Sequence, residues 1–193
     1  QYLVLTGESV AGIAAANGKI LWQAARKGKT AVVPTPIFKD GLLFVTSGYG
    51  IGCNAFKITA AGGKFSAQEV YAGPQMINHH GGVILVGDHV YGLDDKAGLK
   101  CVELASGKVA WENKSVGKGS IAYADGHLVL RSERKDKGTV ALVEATPAGY
   151  KEKGRFDPPS PSGQEAWPHP VVFGGKLYLR DQDVLLCFDV KGK

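Results

Sequence analysis

The sequence predicts an all-β fold, a β-propeller built from four-stranded antiparallel blades. Three observations predict it: an internal repeat with the period of a blade, a tight hairpin turn that recurs out of phase with that repeat, and a composition suited to many short strands.

The repeat is the strongest of the three. The segment Gly12-Ile-Ala-Ala-Ala-Asn-Gly-Lys-Ile-Leu-Trp22 aligns without a gap on Cys101-Val-Glu-Leu-Ala-Ser-Gly-Lys-Val-Ala-Trp111. A degraded copy lies between them, Ala55-Phe-Lys-Ile-Thr-Ala-Ala-Gly-Gly-Lys-Phe65. A further copy begins Leu142-Val-Glu-Ala-Thr-Pro-Ala-Gly149, and a last one starts at Cys187 and reaches Gly192-Lys193. The turn glycines Gly18, Gly63, Gly107 and Gly149 recur every 42–45 residues. Repeats of about 40–50 residues made of short strands are propeller blades.

The second motif reads Asp40-Gly41, Gly87-Asp88, Asp125-Gly126 and Gly174-Gly175, each pair between two apolar runs. These residues accept the positive φ that a two-residue hairpin needs. One blade therefore reads strand A, tight turn, strand B, loop, strand C, glycine turn, strand D. In order, this template predicts a partial blade over residues 1–32 holding strands B to D. Whole blades follow over 33–77, 78–118 and 119–156, then a connector over 157–167. Strands A to C of a further partial blade occupy 168–193. Three whole blades and two partial ones do not close an obvious ring. The chain is thus expected to be part of a propeller of about seven or eight blades, completed by sequence outside it or by another chain. Gln1 reads as mid-domain sequence.

Composition agrees. The chain has 27 glycines and one methionine, which suits glycine-bearing turns and not long helices. No apolar run approaches the ~20 residues of a membrane-spanning helix. The net charge of +5 is scattered. The two runs Arg26 to Lys29 and Arg131 to Lys137 read as solvated loops. No dense basic patch with interleaved aromatics speaks for nucleic acid. Cys53, Cys101 and Cys187 show no CxxC spacing, so neither zinc nor a redox dithiol is indicated, and no metal site is expected. Cys101 and Cys187 share a repeat position with Gly12 and Ala55, which reads as a small buried slot. No GxSxG, phosphate-loop or HExxH motif is present.

The Gly-Lys-x-x-Trp element resembles the tryptophan-docking repeat of quinoprotein propellers, the pyrroloquinoline-quinone (PQQ)-like family. Trp22 and Trp111 match its tryptophan, Gly18 and Gly107 its turn, and Glu103 its acidic strand position. The resemblance implies that both tryptophans dock one blade on the next. It extends over the whole chain and speaks for fold, because function resides in sites and not in folds. Catalytic members carry adjacent cysteines over the quinone, with Glu, Asn and Asp around calcium. This sequence has no Cys-Cys pair and no matching acidic set. The non-catalytic members, such as the propeller lipoprotein of the outer-membrane β-barrel assembly machinery, are the better match. They imply a periplasmic or extracellular location and no cofactor.

Candidate functional residues follow from the blade template. His79, His80 and His169 fall at the start of strand A, which lines the central channel of a propeller. Asn78 and Trp167 flank them. Two roles stay open: hydrogen bonding to backbone at the channel rim, or a channel mouth that binds a small ligand. Adjacent His79 and His80 are poor joint metal ligands because neighbouring strand residues face opposite ways. Asp94-Asp95 and Asp181-Gln-Asp183 lie in B–C loops, where carboxylates usually accept local N–H groups; Arg180 is expected to pair with a neighbouring carboxylate. The proline-rich stretch Phe156 to Gly163, running on to Trp167, is the segment expected to touch a partner. The expected function is a non-enzymatic, extracytoplasmic scaffold that binds a protein or a small ligand. The alternative is a dehydrogenase of alcohols or sugars that uses PQQ and calcium. A sensor propeller fused to another domain is a third reading.

Overall fold

The computed structural model describes residues 1–191. The expected last Gly-Lys turn, Gly192-Lys193, lies outside the described residues. No helix occurs among them. Five antiparallel sheets follow one another along the chain. The first contains β1 (Tyr2–Leu5), β2 (Ser9–Ile13) and β3 (Ile20–Ala25). The second contains β4 (Ile37–Lys39), β5 (Leu42–Ser47), β6 (Gly52–Ala61) and β7 (Lys64–Gly73). The third contains β8 (Val83–Val86), β9 (His89–Asp94), β10 (Gly98–Glu103) and β11 (Val109–Asn113). The fourth contains β12 (Gly119–Ala124), β13 (His127–Ser132), β14 (Val140–Glu144) and β15 (Glu152–Phe156). The fifth contains β16 (Val171–Phe173), β17 (Lys176–Asp181) and β18 (Val184–Asp189). Within each sheet the spatial order follows the chain order, so every blade is a meander.

Local chemistry explains the hairpins. Asp40-Gly41, Asp125-Gly126 and Gly174-Gly175 all have positive φ at both central positions, as a type I′ turn requires. Gly87 alone is positive in its pair, which suits the type II′ turn and its leading glycine. Gly18 and Gly107 both have φ of 72° in the C–D turns, and each donates its N–H to the carbonyl four residues earlier.

Strand B sits in the middle of its sheet, between neighbouring sheets, and so is covered on both faces. That is why Leu43-Phe44-Val45 and Leu128-Val129-Leu130 read as unbroken apolar runs, all buried. The core lies in the four seams between consecutive sheets. Val10 and Trp22 meet Leu43 and Phe56 in the first seam. Phe44 and Met76 meet Val90 and Val102 in the second. Tyr91 and Cys101 meet Leu128 and Val143 in the third. Val129 and Val140 meet Leu177 and Leu179 in the fourth. The A strands stand side by side along one flank: β8 lies against β4 and β12, and β12 lies against β16.

A β-bulge recurs at one place in every complete C–D hairpin. It follows Gly12, Ala55, Cys101 and Leu142. The residues opposite those four are Trp22, Tyr71, Trp111 and Gly154. Tyr71, not Phe65, is thus the aromatic that corresponds to the two tryptophans. The β6–β7 hairpin is ten residues long on each side, which carries Phe65 out to pair with Ala60 near the tip.

Three further expectations are corrected. Arg26 and Arg131 belong to no solvated loop; they are 4% and 1% exposed. Each is a clamp between sheets. Arg26 donates to Asn54 Oδ1, Ser47 Oγ and the Gly52 carbonyl of the second sheet at 2.7–3.0 Å. Arg131, on β13, donates through Nη1 to the Arg180 carbonyl on β17. Burial holds both guanidinium pKa values below the ordinary one. Cys187 is exposed, unlike Cys53 and Cys101. Cys101 is covered because it lies between Tyr91 and Trp111 on the strands to either side. Cys187 pairs with Tyr178 on one side, and no described strand flanks β18 on the other.

Candidate functional site

Antiparallel blades have two ends. The A–B and C–D turns share one end; the B–C loops and the D–A connectors share the other. All five residues proposed for a channel mouth come from D–A connectors, so the topology brings them to the second end. They lie in the connectors themselves, since β8 begins at Val83 and β16 at Val171.

His79 and His80, in the bend that Asn78 closes, diverge. Their ring centroids are 5.7 Å apart at 82°. His79 turns toward the B–C loops of the second and third sheets. Its ring is 4.4 Å from that of Tyr49, and its Nδ1 is 3.5 Å from Asp95 Oδ2. Gly48 is required here, because a Cβ would stand 2.7 Å from His79 Nδ1. His80 turns the other way. Its ring is 5.2 Å from Trp167, and its Nε2 is 3.3 Å from Glu133 Oε2. Lys118 Nζ holds the other oxygen of Glu133 at 3.1 Å. His169 Nε2 reaches the His80 carbonyl at 3.1 Å. Tyr49, His79, His80 and Trp167 thus form a line of rings that crosses from the second sheet to the connector before the fifth.

Asn78 is at the same place but has another task. It is fully buried, and both amide hydrogens are used, one on the Gly82 carbonyl and one on the Leu93 carbonyl. Its Oδ1 accepts the Gly82 N–H, closing a turn. Asn78 is therefore a brace for the connector with no donor left for a ligand, which corrects its assignment to the channel mouth.

Beside His80 an open depression of about 430 Å3 is lined by His80, Glu165, Trp167, Pro168, Arg180 and Gln182. Two buried polar atoms here, His80 Nε2 and Glu133 Oε2, face each other at 3.3 Å without an aligned hydrogen bond, and Asp95 Oδ1, on the His79 side, has no hydrogen-bond partner. Buried polar atoms are normally satisfied, so Asp95 Oδ1 marks a place that a water completes. Burial lowers the His80 pKa, with Glu133 opposing and Lys118, His79 and His169 adding to the fall. A neutral imidazole at pH 7 offers both a donor and an acceptor.

The other acidic pairs keep to structure. Asp94 accepts the N–H groups of Lys96 and Ala97 at 3.0 Å and that of Ile77 at 2.8 Å. Asp181 accepts from Ser162 N and Oγ, so it pins the proline-rich connector instead of its own loop. Arg180 donates to the Gln182 carbonyl and makes no ion pair among the described residues, contrary to expectation. No group of three or more His, Cys, Asp or Glu that could hold a metal ion occurs among the described residues. Burial raises the Cys53 thiol to about 11 and the Cys101 thiol as well, so neither is a ready nucleophile. The sequence did not point to Tyr49, Lys118 or Glu133. The signal available was topological: B–C loops and D–A connectors meet at one end.

Trp22, Trp111 and Gly107 sit in the seams between sheets, apart from this cluster, and Gly18 lies in an exposed turn with nothing packed against it. Trp22 is 6% exposed and packs on Gly12, where a Cβ would meet its indole at 2.1 Å. Trp111 is partly buried, contacts the rings of Tyr91 and Tyr150, and donates from Nε1 to the Thr146 carbonyl of the next sheet at 3.0 Å.

A family model described as outer membrane protein assembly factor BamB matches residues 1–113. The chain belongs to this PQQ-like propeller family. BamB from Moraxella catarrhalis superposes over 94% of this chain and 51% of its own length, with a TM-score of 0.65 at 12% identity. A quinohemoprotein alcohol dehydrogenase from Pseudomonas putida superposes over 82% of this chain and 29% of its own, with a TM-score of 0.60 at 19% identity. These two establish the fold. Tetrathionate hydrolase from Acidithiobacillus ferrooxidans is 30% identical over 170 residues, which is 83% of this chain and 31% of that protein. The chain thus spans about a third of the curated relative and half of the BamB structure. PQQ with calcium, which the wider fold family implies, does not fit the donors present: the cysteines are separate and no acidic cluster of the required size forms among the described residues.

Proposed function

We propose that the chain is a non-catalytic binding module of an extracytoplasmic propeller, and that it engages its partner with the end formed by the B–C loops and D–A connectors. The observation that carries this reading is the open depression at that end, lined by His80, Glu165, Trp167, Arg180 and Gln182. Loops on a rigid scaffold are where propellers place recognition. The extracytoplasmic location rests on the BamB family match. A photo-cross-linking residue at Trp167, compared with one at Gly62 at the opposite end, tests it in cells. A discrete adduct at 167 and none at 62 is expected. Equal labelling at both, or none at 167, overturns the reading.

A second reading is favoured by the 30% identity to tetrathionate hydrolase: the module contributes to binding or cleaving a sulfur oxyanion. Loss of tetrathionate in the presence of the protein, absent in His80→Ala, would move the chain to the enzymes. Saturable binding without loss would make tetrathionate the ligand of a non-catalytic site.

A further inference from the structure

Three seams of this molecule are closed by an aromatic side chain from strand D, at the position opposite the bulge. Trp22 fills the first. Tyr71 fills the second, and its Oη donates to the Leu104 carbonyl of the next sheet at 2.9 Å. Trp111 fills the third and donates to the Thr146 carbonyl at 3.0 Å. Both acceptors lie just past strand C of the following sheet. In the fourth seam the same position is Gly154, opposite Leu142. The backbone does not call for glycine there: φ is not in the left-handed region, and a Cβ would meet nothing within 4 Å.

Phe156, two residues on, sets its ring against Phe188 of the fifth sheet at 5.0 Å, but the position opposite the bulge stays empty and a cavity remains. A space of about 380 Å3 lies between the fourth and fifth sheets, walled by Val129, Val140, Leu142, Leu177 and Val190. Asp125, His127 and Arg155 also line it. Small-molecule pockets begin at about 300 Å3, and a dry apolar cavity of about 150 Å3 already accepts benzene in another protein. The acceptor position is also present. Val190 donates its N–H to Gly175, as Leu104 does to Asp88 and Ala145 does to Gly126. Val190 therefore corresponds in the fifth sheet to Leu104, the acceptor of the third, and to Ala145, the neighbour of the acceptor Thr146 in the fourth.

We propose that this cavity binds a small planar aromatic molecule bearing one N–H or O–H donor, an indole or a phenol. The ring takes the place that Tyr71 and Trp111 fill in the neighbouring seams, between the valine and leucine walls. Its donor points along the seam toward the backbone past β18. The site is at the turn end of the sheets, remote from the His80 cluster, and does not depend on the function proposed above.

The probe is indole, titrated into the whole chain and followed by calorimetry and by two-dimensional NMR of labelled protein. Saturable one-to-one binding is expected, with shifts confined to residues around Val129, Val140 and Leu177. Benzene, lacking the donor, should bind at least several-fold more weakly. Gly154→Trp supplies the ring from within and should weaken indole binding at least tenfold while raising the melting temperature. Leu142→Trp, across the same pair, does the same if Gly154→Trp fails to fold. No saturation up to the solubility of indole overturns the proposal, as does undiminished binding in a folded variant or shifts spread over the surface.

Discussion

The third and fourth seams pose the same packing problem and meet it differently. In the third, Trp111 crosses from the strand D side, touches Tyr91 and Tyr150, and ties its indole N–H to the next sheet. The buried cluster around it is the most extensive in the molecule's described residues. In the fourth, Gly154 supplies nothing, the buried cluster shrinks to Val129, Val140, Leu177 and Leu179, and a cavity opens beside it. Those two sheets are also joined by the Phe156–Phe188 ring contact at 5.0 Å and by Arg131, whose guanidinium donates to the Arg180 carbonyl. The contrast teaches that the repeat fixes where a seam is sealed but not what seals it.

The sharpest way to break the comparison is to make the third seam resemble the fourth. Trp111→Ala should cost about 3 kcal/mol, since it removes a large ring and leaves a void; urea denaturation reads it directly. Gly154→Ala, the matching change in the fourth seam, should move the midpoint hardly at all. Next in size is Arg26→Ala. It strips three hydrogen bonds from the second sheet and leaves Ser47 Oγ and the Gly52 carbonyl without that donor. A loss of about 2 kcal/mol is expected, in keeping with hydrogen bonds to charged groups. Gly154→Trp should add about 1 kcal/mol, the usual return for filling a cavity.

The smallest effect depends on pH. Burial depresses the His80 pKa below its ordinary 6.5. The unfolded chain therefore binds the proton first as pH falls. The stabilisation is fully present above the unfolded value and is lost as the pH drops through it toward the folded one. Melting temperature should fall on acidification from about pH 7 to about pH 5, and His80→Gln should flatten that part of the curve. An unchanged slope in the variant would assign the acid sensitivity to other groups.

Much of the architecture was legible because turns are written locally. Asp40-Gly41 and Asp125-Gly126 announce their hairpins whatever surrounds them, and Gly18 and Gly107 announce theirs. The phase of the blades followed from these turns alone. What stayed hidden depends on distance. Arg26 and Arg131 sit in stretches rich in charge, and nothing local distinguishes a guanidinium that bridges two sheets from one in water. Tyr71 was obscured because lengthening the β6–β7 hairpin moved it away from the glycine turn that numbers the repeat. At the candidate site the blade phase put the histidines at the start of strand A, and they lie instead in the connectors that precede it. Glu133 and Lys118, which give His80 its electrostatic setting, came from loops that only the folded chain brings together.

The recurring bulge after Gly12, Ala55, Cys101 and Leu142 has a consequence for assembly. In the second and third joints the ring leaves strand D and its acceptor follows strand C of the next sheet, so each of these joints has a plug side and a socket side. Such a joint is heterologous, and blades can join only head to tail. Successive units then either close on themselves or run on as a filament, and the angle turned per joint decides between them.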